Sequence, residues 1–305
     1  MKSSKLQGHL AIATANIIFG LSVPVTTDLV TRHFTPNGYM LARCVGAAVI
    51  FWCISLILPR ERVPRRDLWV IIGGGLLGFA VSQTLTAWAL AYTTPVYYSL
   101  VATLVPIAVL LLAWMWLSER MTRRKLIGVV LGVAGAMLMV AVGWTSGTGR
   151  NDALGITLAL GSLVTWAVYL ILTQRVSERY SAVTQMKWMF LASAVAVLPF
   201  TWNELPNQPL LSADSATMWL GWGEMAFVVV FATVLGYFFI PYAMKRVSAT
   251  VVSVYTNLQP IVAALVAFAI GQDALTWDKP VAAVLVLLSA YLVTTQSRND
   301  ELEHL

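Results

Sequence analysis

Apolar residues run along this chain in blocks of about twenty, and the polar residues fall between the blocks rather than alternating within them. A half-buried strand would alternate every second residue, and a surface helix would show a narrow apolar stripe; a helix apolar on all sides fits the blocks. Ten can be marked, at 8–30, 37–58, 68–91, 95–117, 125–144, 153–174, 183–202, 219–242, 249–270 and 277–296. Each is long enough, at about 1.5 Å rise per residue, to cross a hydrocarbon layer about 30 Å thick. The third boundary carries no charge. There Tyr92, Thr93, Thr94 and Pro95 predict a break, because a proline pushes the residue before it out of the helical region. The pattern predicts an all-α integral membrane protein with ten transmembrane helices.

Composition sharpens this. The chain has 305 residues, 58% hydrophobic and 11% charged, where a soluble domain carries about 25% charge. One water-soluble core could not hide so much apolar surface. The net charge of +6 does not point to nucleic acid, because the basic residues sit in short clusters between apolar blocks, such as Arg60, Arg62, Arg65 and Arg66, or Arg120, Arg123, Arg124 and Lys125. With the N-terminus in the cytoplasm, fifteen Lys and Arg fall on the inner side and three, Arg32, Arg150 and Lys279, on the outer side. That bias predicts both termini cytoplasmic, in a bacterial-type cytoplasmic (inner) membrane. The expected partners are the lipid bilayer and a small-molecule substrate, with no nucleic acid, in a monomer or homodimer. Cys44 and Cys53 share one predicted helix nine residues apart and cannot bridge within it.

The chain also resembles itself at an offset of about 154. Ser99, Leu104, Pro106, Ile107 and Glu119 recur as Ser253, Leu258, Pro260, Ile261 and Asp273, and Ala89 and Thr94 as Ala243 and Ser248. Phe19–Gly20 and Trp166–Ala167 match at an offset of 147. Two repeats result, 8–144 and 153–296, with five helices each. Five is odd, so the second copy enters the membrane from the opposite side. Inverted repeats of this kind build many secondary transporters. Residues 87–140, with "LVPIAVLLLAWMWLSER", resemble the first repeat of an EamA-type transporter of the drug/metabolite transporter superfamily, and 233–294, with "LQPIVAALVAFAIGQDALT", resemble the second. The resemblance implies ten helices around a central cavity, alternating access, and export of amino acids, other metabolites or toxic compounds. One departure is that Gly271–Gln272–Asp273 stands where the first repeat has Leu117–Ser118–Glu119–Arg120.

Polar groups inside the spans are the candidate chemistry. Pro106 and Pro260 lie near the middle of the fourth and ninth spans, and each frees the carbonyl four residues earlier, on Ala102 and Thr256. They are the expected kinks. Around those depths stand Asn16 and Ser22, Gln83 and Trp88, Tyr98 and Thr103, Trp166 and Tyr169, Tyr237, and Tyr255, Asn257 and Gln259. Amides and hydroxyls can hydrogen-bond a polar solute while aromatic rings cover its apolar part. Asp28 and Arg43 flank the first hairpin at similar depth and are expected to pair or gate. Glu224 is the candidate proton carrier. No metal or other cofactor is expected, because His9, His33 and His304 lie near span ends without ligand spacing. The leading reading is a secondary transporter exporting small organic solutes, amino acids or related metabolites, by alternating access. Multidrug efflux is the alternative, and a receptor or scaffold without transport the other class. An enzyme is not expected, since no catalytic constellation occurs in the spans.

Overall fold

The protein is described by a computed structural model. It covers residues 2–117, 149–247, 251–252 and 255–271, with isolated positions among 123–138 and 280–288. Most of the predicted fifth and tenth spans, together with Glu119 and Asp273, lies outside the described residues.

Among the described residues every element is helical. Seven helices are long and apolar enough to cross a membrane: α1 Lys5–His33, α2 Pro36–Ile57, α3 Arg65–Tyr92, α4 Pro95–Trp116, α5 Asp152–Arg179, α6 Ala182–Ser212 and α7 Ser215–Met244. A shorter apolar helix follows, α8 Leu258–Ala269. They correspond to predicted spans one to four and six to nine.

The helix starts are written in capping residues. Thr35 accepts a hydrogen bond from the Gly38 N–H, with Pro36 opening α2. Thr94 and Pro95 repeat that device for α4, so the uncharged break after Tyr92 falls where the proline places it. Asn151, Ser181 and Asp214 cap α5, α6 and α7 in the same way. Such caps satisfy amides that a helix leaves without internal partners.

Two ends of the bundle can be told apart by their loops. The proximal end holds the N-terminus, the 58–64 loop and the α5–α6 turn; the distal end holds the α1–α2 turn, the break after Tyr92 and the 3₁₀ turns Trp202–Asn207 and Pro209–Ser212. Tryptophans gather near both ends, with Trp69, Trp114 and Trp116 exposed proximally and Trp202, Trp219 and Trp222 distally, as in the aromatic belts of membrane proteins. Between the ends, Val45, Val49, Val164, Leu172 and Val195 face outward. Cys44 is buried and Cys53 exposed, both free.

The most extensive packing runs between the two sequence halves. α2 lies against α6, α3 against α5, α1 against α7 and α8, and α4 against α5 and α8. Exchanging α1 with α5, α2 with α6, α3 with α7 and α4 with α8 maps these pairings onto one another. Glycines let the helices close: a Cβ on Gly78 would stand 2.6 Å from the Tyr169 ring, and one on Gly75 2.6 Å from the Met189 backbone.

Candidate functional site

Departures from regular helix prepare the interior. α4 is regular from Pro95 to Ala102, turns at Thr103–Leu104, and resumes at Val105. Pro106 supplies no N–H to Ala102, so the ladder opens just ahead of it. The Thr103 hydroxyl donates to the Leu100 carbonyl at 2.7 Å and caps the opened turn. Ahead of Pro260 the chain likewise runs as a 3₁₀ turn, Tyr255–Asn257. Wide π-helical turns occur at Leu76–Val81 in α3 and Val228–Gly236 in α7, at matching places under the 154 offset. Turns of this kind recur at functional sites. In α7 the Thr233 hydroxyl donates to the carbonyl of Val228, five residues back, at 2.9 Å.

These segments surround a central cavity of about 80 Å³, several times the roughly 10–15 Å³ that one water needs on this measure. Its wall takes residues from α1 to α5, α7 and α8 and the segment just before α8. Ala102 and Thr256, the residues four before each proline, both line it.

Arg43 is the charge in that wall. It is 5% exposed, and its guanidinium is held by neutral acceptors: Nε donates to Thr233 Oγ1 at 2.7 Å, Nη1 to Gln83 Oε1 at 3.2 Å and Nη2 to the Tyr237 hydroxyl at 3.1 Å. The rings of Tyr237 and Tyr39 lie 5.2 and 5.8 Å from its central carbon. Gln83 and Tyr237 are equivalent positions under the 154 offset, each closely following a π-turn, so the two sequence halves clasp one guanidinium from both sides. Three of its five N–H donors are engaged. No carboxylate lies within salt-bridge distance of it among the described residues. Desolvating a cation without a counter-ion costs several kcal/mol.

Asn16 and Gln259 form a second polar point, Gln259 Nε2 donating to Asn16 Oδ1 at 2.7 Å across α1 and α8. Gly20 permits that approach, since a Cβ there would stand 3.0 Å from the Gln259 carbonyl oxygen. The positions matching them at offsets of 147 and 154, Leu163 and Val105, also line the cavity but are apolar. A hydroxyl network completes the wall. Ser162 meets Ser82 at 3.1 Å and Thr86 at 2.8 Å, and Thr86 meets the Tyr98 hydroxyl at 3.2 Å.

Of the residues marked from sequence, Asn16, Ser22, Gln83, Tyr98, Trp166, Tyr237, Gln259 and Arg43 line the cavity. Trp88 does not. Its indole N–H donates to Asn37 at 3.0 Å at the distal end. Tyr169, 1% exposed, fills the notch left by Gly74 and Gly78. Thr103 spends its hydroxyl on its own helix, and Tyr255 meets His9 Nδ1 at 3.0 Å proximally. The Asn257 side chain lies outside the described residues. Pro106 and Pro260 are buried behind the wall.

The expected Asp28–Arg43 pair does not form. Asp28 instead contacts Arg32 at 3.2 Å and His33 at 3.4 Å. Similar depth is not a shared face: Arg43 turns inward between α3 and α7, while Asp28 turns toward Glu224 on α7. Glu224 is therefore not on the cavity wall either. Sequence reasoning missed Thr26, Ser82, Thr86 and Ser162. Only the helical spacing of Ser82, Thr86 and Leu90 placed them on one face with Gln83 nearby.

A family model, the EamA-like transporter family, matches residues 6–141 and 153–295. The chain is 26% identical over 286 residues to the "Uncharacterized transporter YyaM" of Bacillus subtilis, covering 92% of each. It is 25% identical to "Uncharacterized transporter YvbV" of the same organism, over 80% of this chain and 78% of the relative. A "Probable terminal-alkyne amino-acid exporter" of Streptantibioticus cattleyicolor is 26% identical over 76% of this chain and 74% of its own. One solved crystal structure superposes over 99% of both chains with a TM-score of 0.63 at 19% identity, a likeness of fold.

Proposed function

The chain belongs to the EamA-like transporter family, a multi-pass membrane transporter, and from that premise we propose that it exports small carboxylate-bearing solutes, amino acids or related metabolites. In this reading ten helices form two inverted repeats of 8–144 and 153–296, both termini are cytoplasmic, and the membrane is a bacterial cytoplasmic membrane. Several relatives are bacterial or archaeal transporters, one of them named as a probable amino-acid exporter. The cavity between the repeats opens to one side at a time as they rock.

One observation carries the choice of solute: Arg43 is buried in the cavity wall and held only by neutral oxygens among the described residues. A guanidinium offers two parallel N–H groups to a carboxylate. A solute carboxylate would supply the missing counter-charge, and Asn16 and Gln259 would receive a polar group on the same solute. The cavity is small, and opening is part of loading. The reading involves no cofactor; the solute gradient or a proton gradient drives export. Efflux of amphipathic compounds is the second reading, favoured by the rings of Phe19, Tyr98, Trp166 and Tyr237 in the wall.

Counterflow in proteoliposomes tests both. Internal amino acids should exchange saturably with labelled external ones, while their methyl esters compete at least tenfold more weakly. Runs with and without a pH step identify proton coupling. Equal competition by acids and esters would remove Arg43 as the anion site and favour the efflux reading.

A further inference from the structure

At the distal end, away from the cavity, three side chains with metal-ligating atoms converge from α1 and α7. Asp28 and His33 lie on α1, five residues apart, and Glu224 on α7. On a regular α-helix, residues five apart point about 140° away from each other. The π-helical turn Leu29–His33, closed by the Phe34 N–H donating to the Leu29 carbonyl at 2.8 Å, removes much of that divergence. His33 Nε2 stands 3.4 Å from Asp28 Oδ2 and 3.8 Å from Glu224 Oε2. One ligating atom from each residue lies within 4.8 Å of the other two.

The centre of this cluster is unsatisfied. His33 is 1% exposed, yet neither ring nitrogen has a hydrogen-bond partner, and Glu224 Oε2 is buried without one. Leaving such groups unpaired costs free energy. The imidazole is nonetheless held in place. A Cβ on Gly221 would sit 2.9 Å from the ring, so only glycine lets α7 approach it, and Phe34 and Trp222 pack edge to face beside it at 5.9 Å. Asp28 is oriented too: Oδ1 takes the Arg32 guanidinium at 3.2 Å, which leaves Oδ2 toward His33. Such outer partners are what orient metal ligands.

We propose that Asp28, His33 and Glu224 form a divalent-cation site with the donor set of a Zn²⁺ centre. Tetrahedral Zn²⁺ with ligands at about 2.0–2.2 Å separates neighbouring ligand atoms by about 3.3–3.6 Å. The two separations from His33 need shifts of a few tenths of an ångström at most, while the Asp28 and Glu224 carboxylates, within 4.8 Å of each other, would draw together on the ion. One imidazole and two carboxylates leave a fourth position for water, and Mn²⁺ accepts the same oxygen-rich set. A bound ion would tie α1 to α7, and so one sequence half to the other, at the distal end.

The test is a Zn²⁺ titration of the purified, detergent-solubilised full chain, affinity tag removed and stripped with chelator, against a chromophoric competitor. One Zn²⁺ per chain should bind and raise the melting temperature. Glu224→Gln, Asp28→Asn and His33→Ala should each weaken that binding at least thirtyfold, and His9→Ala should leave it unchanged. The two isosteric carboxylate variants preserve packing should His33→Ala fail to fold. Size-exclusion profiles in the absence of metal confirm which variants are native. Absence of stoichiometric Zn²⁺ on the parent chain would overturn the site. Unchanged affinity in the native carboxylate variants would overturn it as well.

Discussion

A guanidinium in the middle of a bundle has two explanations that differ in what its removal does. If Arg43 held helices together, its loss would strand the acceptors on Thr233, Gln83 and Tyr237 and lower stability by about 1–3 kcal/mol for each group left buried and unpaired. If Arg43 is there for a solute, the empty protein already bears the cost of a desolvated charge. Arg43→Gln should then cut amino-acid exchange at least tenfold while the melting temperature holds or rises. Arg43→Lys should recover only part of the exchange, since an ammonium cannot present the planar fork. Exchange measured beside thermal unfolding separates the cases, and a parallel fall in both would make Arg43 structural. The sequence showed that an arginine lay within a span but not its partners. Equal distance from the hairpin suggested Asp28, whereas the π-turn of α1 and the inward face of α2 decide otherwise.

Elements carry the next level of the argument, because irregular turns in α3, α4 and α7 and ahead of α8 stand beside wall residues. The prolines were the most legible of these. At Pro106 and Pro260 the irregular turns lie just ahead of the missing N–H, whereas Pro24 and Pro199 sit inside continuous helix. The π-turns of α1, α3 and α7 were not legible, since apolar residues populate regular and widened turns alike. Hence Gln83 and Tyr237 could be marked as polar, but not as the two jaws of one clasp. Trp88, Tyr169 and Tyr255 were marked for the same reason and point elsewhere, recruited by Asn37, the Gly74–Gly78 notch and His9. If the opened turns serve the cavity, Pro106→Ala and Pro260→Ala should restore a backbone hydrogen bond, keep or raise stability, and slow exchange several-fold. The double variant should be slower than either. Unchanged exchange in the stable double variant would reduce both prolines to packing features.

At the scale of the molecule the halves are joined by polar ties at both ends, and a rocking carrier must release one end while keeping the other. Distally, Thr35 and Asn37 donate to Glu204 at 2.6 and 3.1 Å, and the Thr35 N–H donates to Gln208 at 3.0 Å. Proximally, the Ser181 hydroxyl donates to Glu61 at 2.9 Å and the Tyr180 hydroxyl to Asp67 at 2.6 Å. Partial burial works against the Glu61 charge, but hydrogen bonds from Thr184 and from the backbone and hydroxyl of Ser181, with Lys245 nearby, hold its carboxyl below the usual carboxylate range. A depressed carboxylate contributes its tie above the unfolded value of about 4.3 and loses it only as pH falls through the lower folded value. The proximal tie should therefore survive acidification from about pH 7 to 5, and substitution is the way to release it. In a chain with Cys44 and Cys53 replaced by Ala and Ser162→Cys placed in the cavity wall, Glu61→Gln should raise labelling by an impermeant thiol reagent from the side bearing the N-terminus. Glu204→Gln should raise it from the opposite side. Charge-neutral and nearly isosteric, the two changes alter a tie and little else, so opposite effects require a cavity reachable from both faces in turn. Labelling that rises from one face in both variants would describe a pore or a one-sided pocket, and the exchange of access between the repeats would have to be given up.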